Sequence, residues 1–174
     1  SKLLDVYYEE LQSAGENELI RIHIVQILSD FFEQFNIEDT IRREYKTRLA
    51  LLLAKHEIYM DIVLPWILNY FSRSKTATID LNRYNVESIL MTSSSLQVDN
   101  AIISKLCDSD CYVREHMSDI IGEKKIFSAI PLLFKQLIKE ENYFTAQSMI
   151  EAIGKLQESG GITIIMQWIE KHKE

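Results

Sequence analysis

The stretch Ile103-Ser-Lys-Leu-Cys-Asp-Ser-Asp-Cys-Tyr-Val-Arg-Glu-His-Met-Ser-Asp-Ile-Ile-Gly122 decides the fold, because parts of it recur along the chain. Shifted by 32 residues, Tyr112 meets Phe144, Met117 meets Met149, Asp119 meets Glu151, Ile121 meets Ile153 and Gly122 meets Gly154. The same shift carries Ile130, Leu132, Leu133 and Phe134 onto Ile162, Ile164, Ile165 and Met166. A backward shift of 31 takes Arg114 to Arg83, Met117 to Val86 and Ile120 to Ile89. A shift of 93 takes Asp110-Cys-Tyr-Val-Arg114 to Asn17-Glu-Leu-Ile-Arg21. Self-similarity at a period near 31, over helix–turn–helix units, is the mark of a solenoid.

The local periods are helical. Ile126, Ile130, Leu133, Phe134, Leu137 and Ile138 form one apolar stripe; Ala146, Met149, Ile150, Ile153 and Leu156 form another. No run alternates apolar and polar residues long enough for a strand. The spacing predicts nine or ten helices, over 2–14, 17–35, 37–56, 58–73, 79–92, 99–107, 110–123, 126–139, 142–157 and 161–173. Asn17, Asp99, Asp110 and Asn142 stand where N-caps belong. Gly15 and the Gly160-Gly161 pair mark turns.

Composition narrows the classes. The chain has 174 residues, 47% hydrophobic and 26% charged, which excludes a disordered chain. Five Gly and two Pro are too few for the turns of a sandwich or barrel. A net charge of −7 argues against nucleic acid and anionic membranes. No apolar run is long enough to cross a bilayer. Two cysteines make no disulfide framework, so a reducing, cytoplasmic location is expected.

These residues resemble HEAT repeats, especially the short type of phycobilisome-lyase-like proteins. The likeness lies in a first helix with a proline (Ala129-Ile-Pro-Leu-Leu133), an acidic turn, then Val113-Arg114 opening a second helix that runs to Gly122. It is good over 99–158, weaker over 15–35 and 58–98, and fails around 37–56. The 142–157 copy departs from it, with Thr145-Ala146 where Val-Arg is expected. The resemblance implies an all-α, right-handed α–α superhelix of the HEAT or armadillo kind, one domain spanning 1–174.

Arg21, Arg83 and Arg114 recur at one repeat position. Read as function, they are a row of donors for an acidic partner. Read as structure, they are a ladder, each bonding acidic-turn groups such as Asp108 or Asp110; the resemblance favours the ladder. Cys107-Asp-Ser-Asp-Cys111, with His116 beyond it, lacks the second ligand pair of a zinc site, and Cys107 reads as core filler at the position of Ile138. His56-Glu57 stands alone, whereas HEAT-like di-iron hydroxylases need several such pairs. No cofactor or metal is implied, and no catalytic residue stands out.

The expected role is a non-catalytic scaffold or adaptor that binds a protein partner along the solenoid surface, with Arg83, Arg114, Glu115, Ser118, Gln147 and Glu151 on or near the binding face. The rival is a HEAT-like enzyme or accessory factor, related to bilin lyases or DNA-repair glycosylases. The latter would need a basic groove, yet residues 1–50 hold 6 basic and 10 acidic residues, and residues 101–150 hold 6 and 7. The last helix carries an apolar arc of about 200°, wider than a surface helix needs. Self-association through that helix, with Trp168 at the centre of the contact, is therefore expected.

Overall fold

The computed structural model describes residues 60–68 and 81–173, with Val6, Glu9, Ser13, Gln26, Asp30, Ala50, Leu51, Leu53 and Ala54 as single helical positions. The chain gathers into two compact units, Ser1–Ile67 and Leu68–Glu174. The described residues are helical, in seven α-helices. No described helix is long and apolar enough to cross a membrane. The helices expected over 2–14, 17–35 and 37–56, with Asn17 as a cap and Gly15 as a turn, lie outside the described residues apart from those single positions.

The first unit is described chiefly by helix α1, Met60–Leu68. Val63, Leu64, Ile67 and Leu68 are buried on it, while Pro65 faces outward. That spacing of i, i+1, i+4 and i+5 is one helical stripe.

The second unit holds α2 (Leu81–Thr92), α3 (Leu96–Ser104), α4 (Cys111–Lys124), α5 (Ile130–Leu137), α6 (Tyr143–Lys155) and α7 (Gly161–Lys171). Short 3₁₀ turns, Lys105–Cys107 and Phe127–Ala129, end α3 and precede α5. Contacts run in two rows. One row joins α2 to α4 and α4 to α6; the other joins the Lys105–Cys107 turn to α5 and α5 to α7. The rows close on a shared core of Val98, Ile102, Leu106, Met117, Ile121, Leu133, Leu137, Met149 and Ile153.

Matched positions of the 32-residue shift do matched jobs. Asp110 caps α4 by accepting from the Tyr112 N–H, and Asn142 caps α6 by accepting from the Thr145 N–H. Each short side chain satisfies an N–H that the first helical turn leaves open. Lys125 and Gln157, again 32 apart, are the two non-glycine residues with positive φ, at 56° and 54°. L-residues adopt that conformation at a cost, so its repetition at one register position is structural, not incidental.

Three expectations change. Asp99 is not a cap: α3 begins at Leu96 with Ser95 at its N-cap, and Asp99 lies in the first turn. A carboxylate there is favoured by the helix dipole, and it accepts from Lys124 Nζ at 2.6 Å. Cys107 is not core filler: it is exposed, and its Sγ accepts from Gln136 Nε2. The repeat gains one residue between Leu137 and Glu140, so Leu106 takes the core position matching Leu137, and Cys107 falls beyond it on the 3₁₀ turn. Gly122 does not end its helix. It lies inside α4, buried, where a Cβ would stand 2.9 Å from the Ala152 Cα of α6.

Gly122 thus sets the crossing of α4 over α6, since only a hydrogen lets two backbones approach so closely. Gly154, its counterpart, has nothing within 4 Å of such a Cβ. The two glycines should therefore respond oppositely to one methyl. Gly122→Ala is expected to destabilise the unit by about 1–3 kcal/mol through overpacking. Gly154→Ala is expected to stabilise it by about 0.5–1 kcal/mol through helix propensity. Urea titrations of both variants read the difference.

Candidate functional site

The polar groups of the second unit converge on the turn between α5 and α6. Glu140 is placed there by the extra residue after Leu137, and its side chain is 4% exposed. Arg114, in the first turn of α4, reaches it with two parallel bonds: Nε to Oε2 and Nη2 to Oε1, both 2.8 Å. The remaining Nη1 donates to the carbonyls of Asp108 and Ser109, at 2.8 and 3.2 Å. One planar guanidinium therefore holds the acidic turn before α4 and the corresponding turn before α6.

Glu140 is satisfied on every side. Oε1 also accepts from the Asn142 N–H at 3.0 Å, and the Glu140 carbonyl accepts from Trp168 Nε1 at 2.9 Å. Asp108, its counterpart 32 residues earlier, accepts from the Asp110 N–H at 3.0 Å and pairs with Lys105 at 2.8 Å. Burial works to raise the Glu140 pKa, but the Arg114 bond and the Asn142 and Glu141 N–H groups outweigh it, leaving the carboxyl below its ordinary 4.5. Asp108 is likewise lowered by Lys105 and the Asp110 N–H, against burial. Beside the pair lies an open recess of about 230 Å³, lined by Cys107, Asp108, Gln136, Lys139 and Glu141 together with Arg114 and Glu140. Among the described residues, no three His, Cys, Asp or Glu side chains are grouped to hold a metal ion.

The second-helix row carries acids in register: Glu87 on α2, Asp119 on α4 and Glu151 on α6. Burial raises the Asp119 pKa above its ordinary 3.8, and the charges of Glu151 and Glu87 add to that; Ser148, which donates to it, and Lys155 pull the other way. Lysines bind the ends of the row together. Lys124 Nζ donates to the Ser93 carbonyl at 2.9 Å, and Lys155 Nζ to Glu123 at 2.8 Å.

The expected partner-binding residues fall into separate places. Gln147 and Glu151 are exposed on α6 and bonded to each other at 3.0 Å, one turn from Phe144, which is 68% exposed. Glu115 is half-buried on α4. Arg114 is committed to the two turns, as the ladder reading expects. Ser118 is buried, its hydroxyl donating to the Arg114 carbonyl, because its repeat position is the apolar one of Ile150. The backbone of Arg83 lies in α2; its side chain, like Arg21, His23 and His56, lies outside the described residues.

Trp168 is not at the centre of an exposed patch. Its indole is buried by its own chain, bonded to Glu140 and stacked on His172 at 4.5 Å. The exposed part of the wide α7 arc is Ile162, Met166 and Ile169, at 72%, 49% and 37%. Glu140 is the residue that reasoning from sequence misses, although the alignment of Asp108 with Glu140 was there to signal it.

The chain matches no protein-family model, no curated protein and no solved structure. The likeness to HEAT repeats therefore rests on its own residues.

Asp119 gives a test of the electrostatics. Its raised pKa means the folded state disfavours the carboxylate, so ionisation costs stability at every pH above the raised value. That cost fades as pH falls through the raised value and is gone below 3.8. Asp119→Asn is expected to raise the melting temperature at pH 7 and to leave it unchanged near pH 3. Melts across that range check both ends.

Proposed function

We propose that this chain is a HEAT-like α-solenoid that works as a non-catalytic interaction scaffold, with a protein partner bound on the outer face of the second-helix row. The solenoid reading is supported by register: caps at Asp110 and Asn142, left-handed residues at Lys125 and Gln157, and acidic turns at Asp108 and Glu140 each recur after 32 residues. Repeating helix pairs build extended surfaces that suit protein binding.

The observation that carries the functional reading is the α6 stripe of Phe144, Gln147 and Glu151. These residues share one helix face at i, i+3 and i+7, and all three are exposed. The Phe144 ring is held edge-on to Tyr143 at 6.0 Å, so it is presented with little freedom left to lose on binding. An ordered aromatic beside polar groups has the composition of an interface anchor with its rim. The acidic row of Glu87, Asp119 and Glu151, on a chain of net charge −7, favours a partner whose matching surface is basic.

Affinity capture with the full chain, followed by titration of the purified captured protein, tests this. Phe144→Ala is expected to weaken the titrated affinity at least tenfold, with an unchanged melting temperature. Recovery of no stoichiometric protein, or an affinity indifferent to Phe144, would overturn the proposal.

A further inference from the structure

The open flank of the α6–α7 pair is the same surface that, one repeat earlier, is covered from within the chain. At 100° per residue, Tyr143, Ile150 and Gly154 fall within about 40° of one another on α6. They lie opposite Thr145, Ser148 and Ala152, whose side of the helix faces α4: Thr145 Oγ1 donates to the Cys111 carbonyl, and Ala152 lies against Gly122. On α7, Ile162, Met166 and Ile169 likewise form one stripe. It lies away from α5, which α7 meets through Lys171 Nζ and the Ile138 carbonyl. The Tyr143 and Trp168 rings, 6.5 Å apart, make the two stripes one surface.

The counterparts of these residues are covered. Gly122 receives Ala152, and Phe134, the counterpart of Met166, is half-buried and lies near Gly160 at the start of α7. The open flank thus has the shape of an internal junction, including a glycine over empty space where a second backbone can approach. What it lacks is the ionic joint of that junction. Ala146 stands at the position of Arg114, and His172 at that of Glu140. Nothing here bonds a following repeat in the way that Arg114 bonds the turn before α6. The flank is built for apolar contact that can form and separate.

Charge then points to the occupant. Residues 143–173 hold three acids, Glu151, Glu158 and Glu170, and three lysines, Lys155, Lys171 and Lys173, so they are neutral on a chain of −7. Two copies can bring these ends together without the repulsion that the rest of the chain would impose. The signs are also segregated: Glu158 precedes α7, and Lys171 and Lys173 end it. On α6, Glu141 precedes the helix and Lys155 ends it. A two-fold axis that sets equivalent helices antiparallel places each acidic end over its partner's basic end.

We infer that two copies of this chain associate through the open flank of α6 and α7, with α6 crossing its equivalent at Gly154 and Met166 packing near the axis. The inference rests on the repeat reading but not on the scaffold role, because it concerns the purified chain alone. Two helices of 13 and 11 residues offer a small face, so association in the micromolar range is expected.

Sedimentation velocity on the full chain from about 5 to 500 µM tests it. The mass should rise from 20.3 kDa towards twice that value, with a dissociation constant inside this range. Met166→Glu and Gly154→Leu should each weaken association at least tenfold. Leu96→Ser, which removes an equally exposed apolar side chain from α3, should not. Gly154→Leu is decisive even if the Met166 variant folds poorly, because the monomer has room for the side chain and only the crossing does not. A monomer at every concentration, a mass that climbs past the dimer, or a dimer indifferent to Gly154→Leu would overturn the inference.

Discussion

A single buried carboxylate, Glu140, holds the second unit together. Its two oxygens take both arms of Arg114, its turn is closed by the Asn142 N–H, and its carbonyl takes the indole N–H of Trp168. Through this one residue, α4, the turn before α6, and α7 are tied at a common point. A buried charge is costly unless it is fully paired, so the arrangement is close to all or nothing. Removing either member of the pair leaves the other stranded away from water. The joint therefore specifies where each helix pair stops and the next begins, while the apolar core behind it supplies most of the cohesion.

The same logic explains the contrast between the two ends of the α4–α7 segment. Where Arg114 and Glu140 are present, the helices meet by backbone approach at Gly122 and are fastened by charge. Where Ala146 and His172 replace them, the glycine remains but the fastening is gone. The outer flank keeps Ile162, Met166 and Ile169 in partial contact with water. Exposed apolar stripes of this kind mark association surfaces more often than they mark accidents of packing. The polar face of the second-helix row is different in character, with Phe144 set among Gln147 and Glu151.

Much of this was legible in the sequence, and the exceptions have physical causes. The all-helical class, the caps at Asp110 and Asn142, and the role of Arg114 as a structural donor follow from period and residue type alone. The position of Cys107 was misread because a one-residue insertion shifts register between the two halves of a repeat, and pattern matching slides past it. Asp99 was misread as a cap because a short polar residue suits a first turn as well as an N-cap. Ser118 was placed outside because it is polar, although a small hydroxyl bonded to its own helix is readily buried. Trp168 was placed at the surface of a wide apolar arc; its N–H found a carbonyl partner that only the fold brings near.

The joint at Glu140 is most directly tested by a double-mutant cycle between Arg114→Met and Glu140→Gln, with unfolding free energies from urea titration at pH 7. The account predicts that each single change costs several times more than its share of the double change, with a coupling energy of about 2–3 kcal/mol. Additive effects, with coupling below about 0.5 kcal/mol, would contradict it.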